Sequence, residues 1–286
     1  MKINKLTVKD SPVLSKIMNI YNPPNSLYYA GSSLESYIDI PALTVVGSRK
    51  VSPYGRMVTE NIVGKVAALG LVIVSGLAYG IDSIAHQSAL AKGGMTIAVL
   101  PSPLDNVVPV INRKLADKII SSGGTLISEY PPGQPIHKQN FIARNRIMAT
   151  LGDALLITEA AEKSGSLHTA RFALEQGKTI LVVPGDINRN TYIGCNNLIK
   201  QGATIVTSHQ DVLNVFGMKD SAKQALIKGR NDTEQKIIDL IRSGVTDAND
   251  ILEIGKIEVS NFNVSLTMLE IDGKIRPLGG NQWSLA

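Results

Sequence analysis

Short runs of β-branched and other apolar residues recur through most of this chain, each followed by a stretch with helical spacing. The runs are Leu43–Gly47, Leu71–Ser75, Met95–Leu100, Thr125–Ser128, Asp153–Thr158, Lys178–Pro184 and Ala203–Thr207. Leu71-Val72-Ile73-Val74 is apolar without alternation, the pattern of a strand covered on both faces. Met57–Leu69, Ile81–Ala91 and Thr169–Gln176 read as helices between the runs. Gly70, Gly93-Gly94, Gly123-Gly124 and Gly202 fall where helix C-caps belong. A repeat of strand and helix with glycine at its junctions predicts an α/β fold, a doubly wound parallel sheet over residues 41–218.

The flanks differ. Residues 1–40 form a poorly periodic lead-in with turn signals at Pro23-Pro24 and Gly31. The polar stretch 219–231 reads as a linker. In 232–286, Ile237, Ile238 and Ile241 put one apolar face on a helix over Thr233–Ser243. A second short helix, a third over Ser260–Asp272 and a hairpin formed by Gly273–Leu278 and Gly279–Leu285 follow. Three helices and a hairpin predict a small winged-helix domain. One large and one small domain suit 286 residues.

No apolar run is long enough to span a bilayer, and Met1–Ser11 lacks the apolar core of a signal peptide. The lone Cys195 excludes an internal disulfide and a Cys-rich zinc site. These features predict a cytoplasmic protein. The net charge of +5 is unevenly placed. From Arg230 onward six bases face nine acids, whereas the rest carries 23 bases against 15 acids. A polyanion site therefore belongs on the body and not on the tail.

In a parallel sheet, ligands bind beyond the carboxyl ends of the strands, where backbone N–H groups and helix N-termini face anions. Four glycine- or serine-bearing loops are predicted there: Gly47-Ser48-Arg49, Ser75–Gly80, Ser164-Gly165-Ser166 and Pro184-Gly185-Asp186. Any one of them is equally well a plain turn, but four on one rim indicate a phosphate-lined cleft. The segment His137–Arg146 sets Lys138, Arg144 and Arg146 around Phe141, beside Asn145, with no acid among them. Cations neutralise phosphates and a ring offers any base a stacking face, a combination suited to single-stranded nucleic acid. The structural alternative is a helix N-terminus with Phe141 in the core and its arginines solvated or paired with acids.

Other constellations are weaker. Asp82 and His86 stand four apart, but with no third ligand in reach a capping Asp82 and a hydrogen-bonded His86 are the better reading. Ser75 and Ser166 have His86 and His168 in the same chain but no Gly-x-Ser-x-Gly elbow. No dinucleotide or Walker-type glycine motif follows a strand. Cys195 has no activating neighbour and reads as an inert buried thiol. The expectation is a binding protein without catalytic residues, metal or cofactor.

Taken together, the motifs resemble the DNA-processing protein A family (DprA, also called Smf) from about Tyr28 onward. They are Val46-Gly47-Ser48-Arg49 with Tyr54-Gly55, Ser75–Asp82 with Ala85-His86, Ser128-Glu129-Tyr130-Pro131, and Phe141 with Arg144-Asn145-Arg146. Ser164-Gly165-Ser166-Leu167 with Thr169-Ala170, Val183-Pro184-Gly185, and Gly194 with Asn196-Asn197 complete the series. The resemblance implies a Rossmann-like domain that binds single-stranded DNA, dimerises, and delivers the strand to the RecA recombinase in natural transformation. It implies DNA contacts at Arg49, Lys138 and Phe141, with Lys178 as a further one. Pro101–Asp105 departs from the family's glycine-rich loop, and Val108-Pro109 stands where Tyr-Pro is usual.

Two other readings use the same residues. The fold resembles phosphoribohydrolases of the lysine-decarboxylase-like type, but Gly165–Thr169 only approximates their motif, and Phe172 stands where a glutamate is needed. A duplex-reading factor using the C-terminal domain is the other. It is disfavoured because Ser260–Asp272 has no Lys or Arg.

Overall fold

The computed structural model describes residues 1–7, 17–18, 20–37, 39–218 and 229–285. The chain divides into two compact units, Met1–Lys219 and Asp220–Ala286. The first is built on one sheet: β1 (Asn4–Thr7), β2 (Ser26–Gly31), β3 (Ala42–Val46), β4 (Val72–Ser75), β5 (Thr96–Leu100), β6 (Thr125–Ser128), β7 (Ala154–Ile157), β8 (Thr179–Val182) and β9 (Thr204–Ile205). Their order is β1-β2-β6-β5-β4-β3-β7-β8-β9. All neighbours from β6 to β9 pair parallel, and β1 and β2 add an antiparallel edge.

From β3 the chain winds outward through β4, β5 and β6, then crosses to the other side of β3 and continues through β7, β8 and β9. The winding reverses between β3 and β7, and a crevice opens beyond the carboxyl ends of strands at such a point.

The helices of this unit are α1 (Pro53–Ala68), α2 (Ile81–Ala91), α3 (Arg113–Ser121), α4 (Asn140–Leu151), α5 (Ser166–Glu175), α6 (Ile193–Lys200) and α7 (His209–Val215). On one face Leu43, Val45, Ile73 and Leu156 pack against Ile62, Val63 and Val66 of α1 and Ile81 and Ala85 of α2. On the other, Val46, Val74, Leu155 and Ile157 pack against Ile147 and Met148 of α4 and Ala170 and Ala173 of α5. Burial on both faces is why these strands show no alternation.

The lead-in expectation for 1–40 needs correction, since β1 and β2 extend the sheet. Leu27 and Ala30 are fully buried and enter different core clusters. Two buried residues in a six-residue strand leave no readable period, and pairing with β6 supplies the order.

In the second unit, α8 (Asp232–Arg242), α9 (Ala248–Gly255) and α10 (Val259–Ile271) precede a hairpin of β10 (Ile275–Gly279) and β11 (Gln282–Leu285). Asn231 caps α8 by accepting from the Glu234 N–H at 2.9 Å. Ile237, Ile238, Ile241, Phe262, Leu266 and Leu269 form its own core. Residues 219–228 of the expected linker lie outside the described residues. Among the described residues no helix is long and apolar enough to cross a membrane.

Candidate nucleic-acid interface

A cleft of about 430 Å³ opens beyond the carboxyl ends of the strands, where the winding reverses. Gly47–Lys50, leaving β3, forms one wall. Ala161, Gly165, Ser166 and Thr169, after β7, form the opposite one, and Phe141, Ile142 and Asn145 of α4 close the side. The exposed Arg49 guanidinium lies over the Phe141 ring, 5.7 Å from its centroid. α5 begins at the cleft, with its first N–H groups turned back onto the preceding loop: Ser166 N–H to the Ser164 hydroxyl at 3.4 Å, Leu167 N–H to the Ser164 carbonyl at 3.1 Å and His168 N–H to the Gly165 carbonyl at 3.2 Å. The positive end of the helix dipole therefore lies at this wall. Ser164 backs this end, its hydroxyl 2.7 Å from that of Ser166.

The loop carrying Arg49 is held from below. Ser48 N–H donates to the Glu159 carbonyl at 2.7 Å, and Ile81 N–H donates to the Ser48 carbonyl at 3.1 Å. Gly80 has φ +81°, and a Cβ there would lie 2.2 Å from the Ser48 oxygen, so this close approach requires glycine. Glu159 is fully buried at the end of β7. Its carboxylate accepts from Ser52 N–H at 3.1 Å, Ser52 O–H at 2.6 Å and Tyr192 O–H at 3.0 Å. Ser52 also caps α1 ahead of Pro53. Glu159 thus ties the first β–α turn to the strand beside it. Sequence reasoning missed it; the available signal was an acid ending an apolar strand.

The floor carries charge of another kind. Arg144 is 4% exposed and donates to the carbonyls of Gly76, at 2.6 Å, and Val99. Burial pushes its pKa down to about 10. Asp82 beneath it is buried, which raises its pKa; the Arg144 charge and backbone N–H groups of Ala78 and Gly76 oppose that rise. Among the residues lining the cleft, Arg49, Lys50 and Arg144 face the single acid Asp82. His86 lies fully buried behind them, bonded to Thr96 at 2.7 Å and driven down to about 3 by burial and then by Arg144.

Of the residues singled out from the sequence, Ser48, Arg49, Phe141, Arg144, Asn145, Gly165 and Ser166 converge on this cleft. Lys138 is exposed on the turn leading into α4, outside the walls. Arg146 points elsewhere: its side chain is 6% exposed and pairs with Glu129 at 2.6 Å. The acid-free appearance of this segment was local, because Glu129 arrives from the end of β6. Lys178 is separated from the cleft. It precedes β8, so it lies at the amino ends of the strands, opposite the cleft, because a turn entering a parallel strand lies on the other edge from one leaving it. Phe172 packs against the core. Among the described residues no group of His, Cys, Asp and Glu could hold a metal ion. Cys195 is buried, and burial pushes its thiol up to about 12.

Residues 4–217 match the family described as DNA recombination-mediator protein A. The chain belongs to this family. The DNA processing protein DprA of Streptococcus pneumoniae is 42% identical over 70% of this chain and 70% of its own length. Protein Smf of Escherichia coli is 42% identical over 66% of this chain. The chain spans about half of that relative's length, the aligned part covering 50% of it. A crystal structure of the S. pneumoniae protein superposes with a TM-score of 0.68 at 40% identity, covering 75% of this chain and 74% of that one. DNA processing protein A from Helicobacter pylori, described for its single-stranded DNA binding mode, superposes at 0.67 with 32% identity, over 76% and 96%. As a member of the DNA recombination-mediator protein A family, the chain is a DNA-processing protein. Its unit 1 is the mixed, parallel-dominated α/β sheet of those structures.

Proposed function

We propose that this chain binds single-stranded DNA in the cleft at the winding reversal and delivers it to the RecA recombinase in natural transformation. The observation that carries the binding step is the Arg49 guanidinium over the Phe141 ring, across the cleft from the first turn of α5. A cation and a helix end hold phosphates, while a ring and a guanidinium plane accept a base of any identity. Lys138 meets the strand at the mouth, and Ser164, Gly165 and Ser166 meet it at the far wall. The H. pylori relative's single-stranded DNA binding mode supports this reading. Delivery to RecA rests on the family resemblance. Dimerisation through the α/β unit likewise rests on the family resemblance. The C-terminal unit, with three helices and a hairpin, is read as a winged-helix domain.

Titration of the full chain with single strands at several salt concentrations tests the binding step. Affinity falls linearly with salt on logarithmic axes, and Arg49→Ala lowers both the affinity and the slope, the latter by about 1. An unchanged slope would remove Arg49 from the phosphate path.

A further inference from the structure

A second cleft of about 390 Å³ lies on the same rim, lined by Tyr54, Pro184, Gly185, Asp186, Arg189 and Tyr192. Its floor is aromatic. Tyr54 and Tyr192 meet edge to face with centroids 5.7 Å apart, Tyr192 buried and Tyr54 40% exposed. A Cβ at Gly185 would lie 2.0 Å from the Tyr192 ring, so the backbone rests directly on it. Asn196 clamps that turn from both sides, accepting from the Gly185 N–H at 3.3 Å and donating to its carbonyl at 3.1 Å. Tyr54 O–H reaches the Pro184 carbonyl at 3.3 Å. The rim is polar and half-exposed, with Arg189 and Asp186 3.7 Å apart. Asp186 also accepts from the Asn188 N–H at 2.9 Å, and an exposed pair so loosely held costs little to separate, which leaves Arg189 available to a ligand.

This cleft continues the first one. The segment 49–54 contributes Arg49 and Lys50 to the first and Tyr54 to the second; the segment 189–192 contributes Thr191 to the first and Arg189 and Tyr192 to the second. β8, whose carboxyl end leads into the second cleft, stands two places from β3 in the sheet. At about 4.8 Å per strand spacing the two are roughly 10 Å apart.

We propose that the second cleft is a nucleobase subsite, which takes the base of a nucleotide adjoining those held at Arg49 and Phe141. The Tyr54 ring gives that base a stacking surface, and Arg189 reaches its phosphate or a base carbonyl. The inference rests on the single-strand reading of the first cleft and extends the bound strand beyond it.

The test is equilibrium binding of the full chain to fluorescent oligothymidylates of increasing length, with thermal melting of each variant. Tyr54→Ala and Arg189→Ala should match the unaltered chain on the shortest strands. They should lose about 5- to about 150-fold on strands long enough to fill the second cleft. Tyr54→Phe should retain the long-strand affinity, because the ring and not the hydroxyl carries the contact. Arg49→Ala should lose affinity at every length. If Arg49→Ala weakens all lengths while Tyr54→Ala and Arg189→Ala follow the unaltered chain throughout, the subsite is refuted and the first cleft stands. If Arg49→Ala also binds normally, the single-strand reading falls, and the subsite with it. Arg189→Ala lies on the surface and keeps the test decisive should Tyr54→Ala misfold.

Discussion

Arg49 and Arg144 line one cleft and occupy opposite environments. Arg49 stands exposed on the wall, its guanidinium over a ring face. Arg144 lies in the floor, spending its donors on two strand-end carbonyls above a buried Asp82. An exposed cation can exchange water for a phosphate at little cost. A buried one has already lost its water, and its partners would be orphaned if it moved. Two arginines lining one cleft can therefore serve different ends: one to meet the ligand, the other to hold the surface that meets it.

The sharpest way to break this contrast is Arg144→Met. It strips the floor of its cation and leaves two buried carbonyls without their donor, so stability should drop by about 1–3 kcal/mol for each unpaired group in urea unfolding. A variant as stable as the unaltered chain but unable to bind single strands would make Arg144 a ligand contact and erase the distinction.

His86 extends the floor and allows a pH test. The folded state keeps it neutral down to about pH 3, whereas the unfolded chain protonates it below about 6.5. The unfolded state binds more protons in that window, so stability is lost as pH falls through it, by up to about 1.4 kcal/mol per pH unit. Asp82, raised by burial, acts in the opposite sense just above its ordinary value of 3.8. Comparing the chain with His86→Gln isolates the histidine. Equal slopes between pH 6.5 and 3 would mean the floor tolerates a charged imidazole.

Phe141→Ala sharpens the contrast from the wall side. A half-exposed ring used for stacking should cost about 1–3 kcal/mol of binding per base. The accompanying loss of stability should stay below the roughly 3–5 kcal/mol of a core phenylalanine. Melting and titration on one preparation separate the two, and a large loss of stability with intact affinity would assign Phe141 to the floor.

Much of this arrangement was legible in advance because it is local. Apolar runs at β3 to β9 declare strands, and a loop following such a strand, as Gly47-Ser48-Arg49 does, falls on the ligand-binding rim whatever its partners are. Lys178 came from the family resemblance and not from this rule, which places a residue just before β8 on the opposite edge of the sheet. The Tyr54–Tyr192 cleft was unreadable, since its two rings are 138 positions apart in the chain. β2 escaped notice because its order comes from pairing with β6 and not from its own pattern.

By itself, the amino-acid sequence determined the alternation of strand and helix, hence a doubly wound sheet with a basic rim and a separate acidic module. These follow from periodicity, turn chemistry and charge, which act between near neighbours. Only the tertiary structure decided which cations face solvent. Arg144 and Arg146 sit two positions apart on α4, yet one faces the strand-end carbonyls and the other Glu129. The energy of a charge depends on the water and partners around it, and both are set by residues remote in the chain.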